Sequence, residues 1–296
     1  MTESTNSNPT TAIPKVRTIG VLAYEGMEII DLTGPLDVFT LTNLGIQKLG
    51  IHNENVYPHK ILAKKPGPVA SYNGLKVYAD NAYSDIEGGL DTLIIPGAPD
   101  IDCILCDPAL QDWIRTIAPS VRRIVSVCTG AFLLAECGLL EDRCATTHWA
   151  YCDRFAADYS SVEVESDRIF LQDDSIWTSG GITSGIDLAL ALVEEDWGRE
   201  FALGTAQYMV VFLKRPGGQT QFSAYLVSEN TKHPDLRSLM MWIMDHPSED
   251  LRIETLAERM AMSPRNFARI FSEEVGLTPA KFIEKVRVDA ARQYLG

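Results

Sequence analysis

Hydrophobic and polar positions follow two rhythms along this chain. In residues 15–215, short unbroken apolar runs alternate with stretches of helical spacing. The segments 15–23, 57–63, 75–79, 92–95 and 124–127 read as strands, several of them short continuous apolar runs. Helical spacing appears at 27–44, 108–117, 131–136, 150–157, 186–193 and 199–213. The first of these is interrupted early by Gly34-Pro35, and turns are expected at Pro66-Gly67-Pro68 and Asn73-Gly74. Residues 162–171 and 175–179 suggest a β-ribbon. Strands alternating with helices predict an α/β layer fold with a mainly parallel sheet. In such a sheet the functional crevice lies at the carboxyl ends of the strands. Three corners fall there: the segment after Ala23, the Pro96-Gly97 turn and Cys128.

The rhythm changes beyond residue 215. Residues 216–234 are rich in Gly, Pro, Ser and Thr and read as a linker, and 235–296 form a helical segment. Its first apolar face holds Leu236, Leu239, Met240, Ile243 and Met244. Ile253, Leu256, Ala257 and Met260 form a second, Phe267, Ile270 and Phe271 a third, and Phe282, Val286, Ala290 and Tyr294 a fourth.

Charge sharpens this boundary. The chain carries a net charge of −14. Residues 236–296 hold nine basic and nine acidic side chains, so the whole excess falls on the first part. That excludes broad electrostatic binding of nucleic acid by the entire surface. No apolar run has the roughly 18 residues of a membrane span, and residues 1–14 read as a polar, disordered leader. Six cysteines with no secretory signal point to free thiols in a reducing cytoplasm.

Two places carry chemistry. At the first, the run Ile124-Val125-Ser126-Val127 stops at Cys128, and Thr129-Gly130 lead into a helix-forming stretch. A side chain at such a corner stands above the sheet edge, and the helix N-terminus behind it favours a thiolate. On that argument Cys128 reacts with iodoacetamide ahead of the other five thiols. Asp31 and His148 are the candidate bases, with Glu28 an alternative acid to Asp31; a buried structural cysteine is the plain alternative for Cys128. At the second place, Ser263 is an N-cap and Pro264 a first helical residue, with only Ala261 and Met262 between Met260 and that cap. Helices so close in sequence cross steeply, as in a helix-turn-helix. The second of them presents Arg265, Asn266 and Arg269 opposite its apolar face. Arg pairs with guanine and Asn with adenine in the major groove; a solvated basic face is the bland alternative.

Both places resemble known families. The segments VLAYEGMEIIDLTGPLDVF, DTLIIPGA, VSVCTGAFLLAECGLL, ATTHW and SGGITSGIDLAL resemble the ThiJ/PfpI superfamily, of class I glutamine-amidotransferase-like fold. Within it, the chain is similar to the GlxA-like branch fused to AraC-type domains. The resemblance implies a flavodoxin-like sandwich over 15–215 with Cys128 on its elbow. It implies a site lined by Cys128, Thr129 and Asp31, in which the turn elsewhere written Pro-Gly-Gly is Pro96-Gly97-Ala98 and shapes an oxyanion pocket; with Gly97, Ala98 and the candidate His148 these are the expected ligand-binding residues. The tail resembles the first half of an AraC-family DNA-binding domain at Leu256-Ala257, Met262-Ser263, Arg265, Phe267, Arg269, Phe271, Gly276 and Thr278-Pro279. The family's second helix-turn-helix is absent from residues 235–296, so weak DNA binding is expected.

The resemblance implies a DNA-binding transcriptional regulator rather than an enzyme, controlled by a small, polar, nitrogen-containing effector. A promoter, RNA polymerase and a second copy of the chain are its expected partners, and no cofactor or metal is expected. The competing reading is a cysteine-dependent hydratase or hydrolase like the isocyanide hydratases. In it Cys128 attacks, Asp31 relays protons, and His148 is a further candidate base. Cys103 and Cys106 form a single Cys-x-x-Cys pair with no second pair nearby, and His148 and Cys152 lack a third ligand. Glycines at 180, 181 and 185 before a helix suit close packing or an anion.

Overall fold

The computed structural model describes residues 15–215, 218–219 and 233–295; of Asp289 and residues 292–295 only the backbone is described. The leader 1–14 and most of the linker 216–234 lie outside the described residues. The chain divides into two compact units: one runs to Leu213 without Glu165–Ile169, and the other holds Glu165–Ile169 and Lys214 onward.

The first unit is built on a seven-stranded sheet. In chain order its elements are β1 (Ile19–Leu22), α1 (Ile29–Lys48), β2 (His59–Ala63), β3 (Gly67–Ala70), β4 (Lys76–Ala79), β5 (Asn81–Ala82), β6 (Thr92–Ile95), α2 (Asp102–Leu105), α3 (Pro108–Ile117), β7 (Arg123–Val127) and α4 (Gly130–Glu136). Then follow β8 (Cys144–Ala145), α5 (Cys152–Asp158), β9 (Glu163–Val164), β10 (Phe170–Asp173), β11 (Ile176–Ser179), α6 (Ser184–Trp197) and α7 (Arg199–Met209). The sheet order is β10-β11-β7-β6-β1-β2-β5, parallel throughout except for the β10–β11 hairpin. Every residue of β1, β6, β7 and β11 is buried, which is why β1, β6 and β7 read as largely apolar stretches instead of alternating.

Four expectations change on contact with the structure. Helix α1 runs straight through Pro35. A proline in the second turn forfeits a single backbone bond, and close packing supplies the difference. A Cβ on Gly34 would lie 3.0 Å from Ile186 Cγ1, and one on Gly185 3.3 Å from Pro35 Cγ. Pro66-Gly67-Pro68 is not only a turn, since Gly67-Pro68 opens β3, which pairs with β4 across Asn73-Gly74 in a separate two-stranded ribbon. An edge of this kind tolerates proline. The ribbon predicted from 162 is confined to β10 and β11, because the polar run Glu165-Ser166-Asp167-Arg168 breaks it, while β9 pairs with β8. Helix α7 stops at Met209, where Val210 turns left-handed (φ 58°).

At the amino ends of the strands the sheet is tied by charge. Asp196, in the last turn of α6, accepts from Arg123 Nη2 at 2.6 Å and from the Tyr57 hydroxyl at 2.9 Å. It also lies 3.2 Å from Arg17 Nε and 3.0 Å from Arg122 Nη1. The side chains of Arg123 and Asp196 are 3% and 1% exposed, so neither charge has water to fall back on.

The second unit carries α8 (Pro234–Asp245), α9 (Ile253–Arg259), α10 (Pro264–Val275) and α11 (Pro279–Leu295). Leu236, Leu239, Met240, Ile243, Leu256, Phe267, Phe271 and Phe282 close one core, with Ile270 and Val286 packed at its edge. The α9–α10 turn is held by two bonds: Met262 N–H donates to Ala257 O at 2.9 Å, and Ala261 N–H to Glu258 O at 2.9 Å. This Schellman pair forces Ala261 into the left-handed region (φ 49°), a position glycine usually fills. Ser263 then caps α10 by accepting the N–H of Asn266.

Candidate functional site

Cys128 ends β7 in a left-handed conformation (φ 58°). A non-glycine residue held there is strained, and the surroundings fix it. Its N–H donates to Ser179 O at 3.1 Å and Gly180 O at 2.8 Å, and its carbonyl accepts from the Thr147 hydroxyl at 2.8 Å. The elbow lies directly against the turn after β6. A Cβ on Gly97 would come within 2.6 Å of Thr129 N and 2.9 Å of Cys128 Cβ, and one on Gly130 within 2.4 Å of Ile95 O. Only glycine fits at either place.

The acid that points inward is Asp31, not Glu28. Asp31 is fully buried in the first turn of α1, while Glu28 caps that helix from its half-exposed N-terminus. Asp31 Oδ2 accepts the N–H of Gly97 at 2.9 Å, and Oδ1 has no hydrogen-bond partner. Burial, helped by Glu28 and opposed by the Gly97 hydrogen bond, pushes its pKa up to about 8. The group is therefore a carboxylic acid at neutral pH. Tyr24, whose hydroxyl donates to Pro96 O at 2.7 Å, is the third buried titratable group, and burial, Asp31 and Cys128 all push it upward.

Cys128 is pushed the same way. Burial is the larger cause and Asp31 the second; hydrogen bonds to the sulfur from the N–H groups of Thr129 and Ile182 pull back, and lose. The resting group is a neutral thiol, so the thiolate expected from the helix N-terminus alone gives way to desolvation. The oxyanion pocket expected at the Pro96-Gly97-Ala98 turn is also changed. Its Gly97 N–H is spent on Asp31, and its Ala98 N–H on Thr129 Oγ1 at 2.9 Å; that hydroxyl donates back to Ala98 O at 2.7 Å. The amides facing the sulfur belong instead to Thr129 and Ile182.

His148 is not brought to the thiol. Its Nδ1 accepts from Ala150 N–H at 3.3 Å, leaving the proton of the neutral ring on Nε2. No hydrogen bond among the described residues joins it to Cys128 or Asp31. Its ring instead lies on Gly181, where a Cβ would be 2.1 Å from Cδ2, and burial lowers its pKa. Thus Cys128, Thr129, Asp31, Gly97 and Ala98 meet, and His148 supports the loop beside them. Sequence reasoning missed Tyr24 and Ile182; only Ile182's place in a glycine-rich turn, where it takes φ 44°, hinted at its role. At the carboxyl ends of β1 and β2 a cavity of about 390 Å³ opens between Tyr24, Lys64, Lys65, Val69, Cys103 and Asp107; Cys128 and Asp31 do not line it, and Tyr24 links its wall to the elbow through the Pro96 carbonyl. Cys103 and Cys106 are exposed free thiols, and no group of three metal-binding side chains occurs among the described residues.

In the second unit the three predicted DNA contacts face solvent. Arg265 and Arg269 are exposed and Asn266 half-buried, opposite the buried Phe267 and Phe271.

The fold and elbow define a class, and comparison with known proteins bears it out. Residues 17–195 match the DJ-1/PfpI family and residues 256–296 a helix-turn-helix domain. The chain belongs to the DJ-1/PfpI family and carries an AraC-type helix-turn-helix behind that domain. It is 29% identical over 241 residues to the HTH-type transcriptional regulator CdhR of Pseudomonas aeruginosa, covering 81% of this chain and 71% of that one. It is 34% identical over 177 residues to an isonitrile hydratase of Pseudomonas putida, covering 60% and 71%. A ThiJ/PfpI family protein from Pseudomonas syringae shares the fold, with a TM-score of 0.60 at 21% identity over 98% of this chain and 97% of that one. No helix among the described residues is long and apolar enough to cross a membrane.

Proposed function

We propose that the DJ-1/PfpI unit binds a small molecule and that its occupancy sets how the helix-turn-helix unit grips a promoter. The chain is a DNA-binding transcriptional regulator of AraC type with a DJ-1/PfpI domain. The observation that carries the rest is a cavity of about 390 Å³, a size suited to a metabolite, whose wall includes Tyr24, the residue that hydrogen-bonds the Pro96 carbonyl of the elbow. Tyr24, Lys64, Lys65 and Asp107 in its lining offer a polar, nitrogen-bearing effector hydrogen-bonding groups to meet. Binding that differs between two states of the protein biases its DNA affinity by that difference. The site of action is the cytoplasm, with RNA polymerase a further partner.

A second copy is proposed as well. Leu44, Leu49, Leu203 and Tyr208 border an open, mostly apolar groove of about 880 Å³ between α1 and α7. Sedimentation of Leu203→Glu as a lighter species than the wild type supports this face as the dimer contact; equal masses refute it.

DNA reading is tested by gel shift of the full chain. Arg265→Ala should weaken binding to a selected duplex by about 1–3 kcal/mol; an unchanged shift removes Arg265 from the interface. The hydratase reading is favoured by the intact Cys128, Asp31 and Thr129 cluster. It predicts hydration of an isonitrile that Cys128→Ala abolishes, whereas the sensor reading predicts none with either protein.

A further inference from the structure

Helix α10 carries one charge on its reading face that an electrostatic DNA binder would not choose. Asn266, Arg269 and Glu273 are spaced three and four residues apart and so share a face of the helix. Arg269 Nη1 donates to both carboxylate oxygens of Glu273, at 2.9 and 2.7 Å, and Nη2 donates to Asn266 Oδ1 at 3.1 Å. Both ends of the guanidinium fork are therefore occupied along the helix. Among the described residues, Arg265, one turn earlier, has no such tether.

Resting on the reading that α10 enters the major groove, we propose that Glu273 is a specificity-determining residue that competes with DNA for Arg269. The side chains of Arg269 and Glu273 are 59% and 60% exposed, so their pair is weak and opens readily. A guanine edge offers two acceptors in the geometry of the fork and wins Arg269 from the carboxylate. A lone phosphate oxygen offers one, and near it the Glu273 charge is repulsive. The carboxylate thus penalises binding that is driven by backbone charge alone and spares binding in which Arg269 reaches its base. It also cuts the net charge of the face formed by Arg265, Asn266, Arg269 and Glu273 from +2 to +1.

The test uses the full chain and duplexes selected by the wild type from a random-sequence library, with a scrambled duplex for comparison. Glu273→Gln should bind the scrambled duplex more tightly, with a slope of log K against log salt steeper by about one. Its preference for the selected duplex over the scrambled one should fall by roughly tenfold, the value of one base contact. Glu274→Gln makes the same charge change one residue along, without touching Arg269. It should leave that preference intact. Combined with Arg269→Ala, Glu273→Gln should have no further effect on preference. Equal behaviour of the two glutamine variants, or an unchanged preference in Glu273→Gln, overturns the proposal. If Arg265→Ala and Arg269→Ala both bind like the wild type, the groove-reading helix itself is wrong and the proposal falls with it. Weakened binding by those two with an inert Glu273→Gln removes only the role of Glu273.

Discussion

Replacing Asp31 by asparagine tests the electrostatics of the elbow without altering its shape. Folded, the Asp31 carboxyl releases its proton near pH 8, against 3.8 for the ordinary group. Between those values the folded chain holds a proton that the unfolded chain has lost. Stability is then fully present below the unfolded value, falls as pH rises, and levels off above about 8. The slope is about 1.4 kcal/mol per pH unit, so the wild type should lose up to about 2.7 kcal/mol between pH 5 and pH 7 from this group alone. Asparagine has no proton to bind, and any cost of its amide at the unpartnered Oδ1 position is the same at both pH values. The wild type and the variant should therefore diverge by that amount as pH rises, in favour of Asp31→Asn, with all other titrations cancelling in the difference. Urea unfolding followed by tryptophan fluorescence reads it, since Trp113, Trp149, Trp177 and Trp197 all lie in the first unit. A gap between the two proteins that stays constant from pH 5 to pH 7 refutes the buried neutral acid.

The remaining predictions concern other parts of the chain. Cys128 should alkylate with iodoacetamide at mildly alkaline pH more slowly than the exposed Cys103 and Cys106, by peptide mass spectrometry; faster labelling restores the thiolate. Asp196→Asn should destabilise the first unit by about 3–5 kcal/mol in urea unfolding, because Arg17, Arg122 and Arg123 lose the buried carboxylate they share and only Asp91 and Glu195 remain beside Arg122 and Arg123. A loss under about 1 kcal/mol means the arginines find other partners. Ala261→Gly should stabilise the second unit by up to about 1 kcal/mol, relieving the left-handed alanine. A lowered midpoint, followed by the far-ultraviolet signal, shows that the turn prefers the methyl group.

Much of the fold was legible because burial and backbone chemistry leave local marks. The doubly buried strands β1, β6 and β7 have no polar face to interrupt them, and Ser263-Pro264 marks a helix start on its own. The elbow was legible for the same reason, since a β-branched run ending at Cys128-Thr129-Gly130 admits few geometries. What escaped depends on partners distant in sequence. Pro35 stays in its helix because of Ile186 and Gly185, some 150 residues on. The choice of Asp31 over Glu28 depends on Gly97, and the fate of the Gly97 and Ala98 amides on Asp31 and Thr129. The neutral thiol is a matter of depth, and depth is a tertiary property. His148 stood near the elbow in sequence pattern, yet its ring is committed to Gly181.

Strand β7 joins two unlike ends, the arginine–carboxylate knot at Arg123 and the strained elbow five residues later at Cys128. A genetic screen for loss of promoter control would collect lesions at both. Those near the knot would act by lowering the amount of folded protein in the cell, and those near the elbow by silencing a protein present at normal abundance. An immunoblot beside the reporter would sort one group from the other.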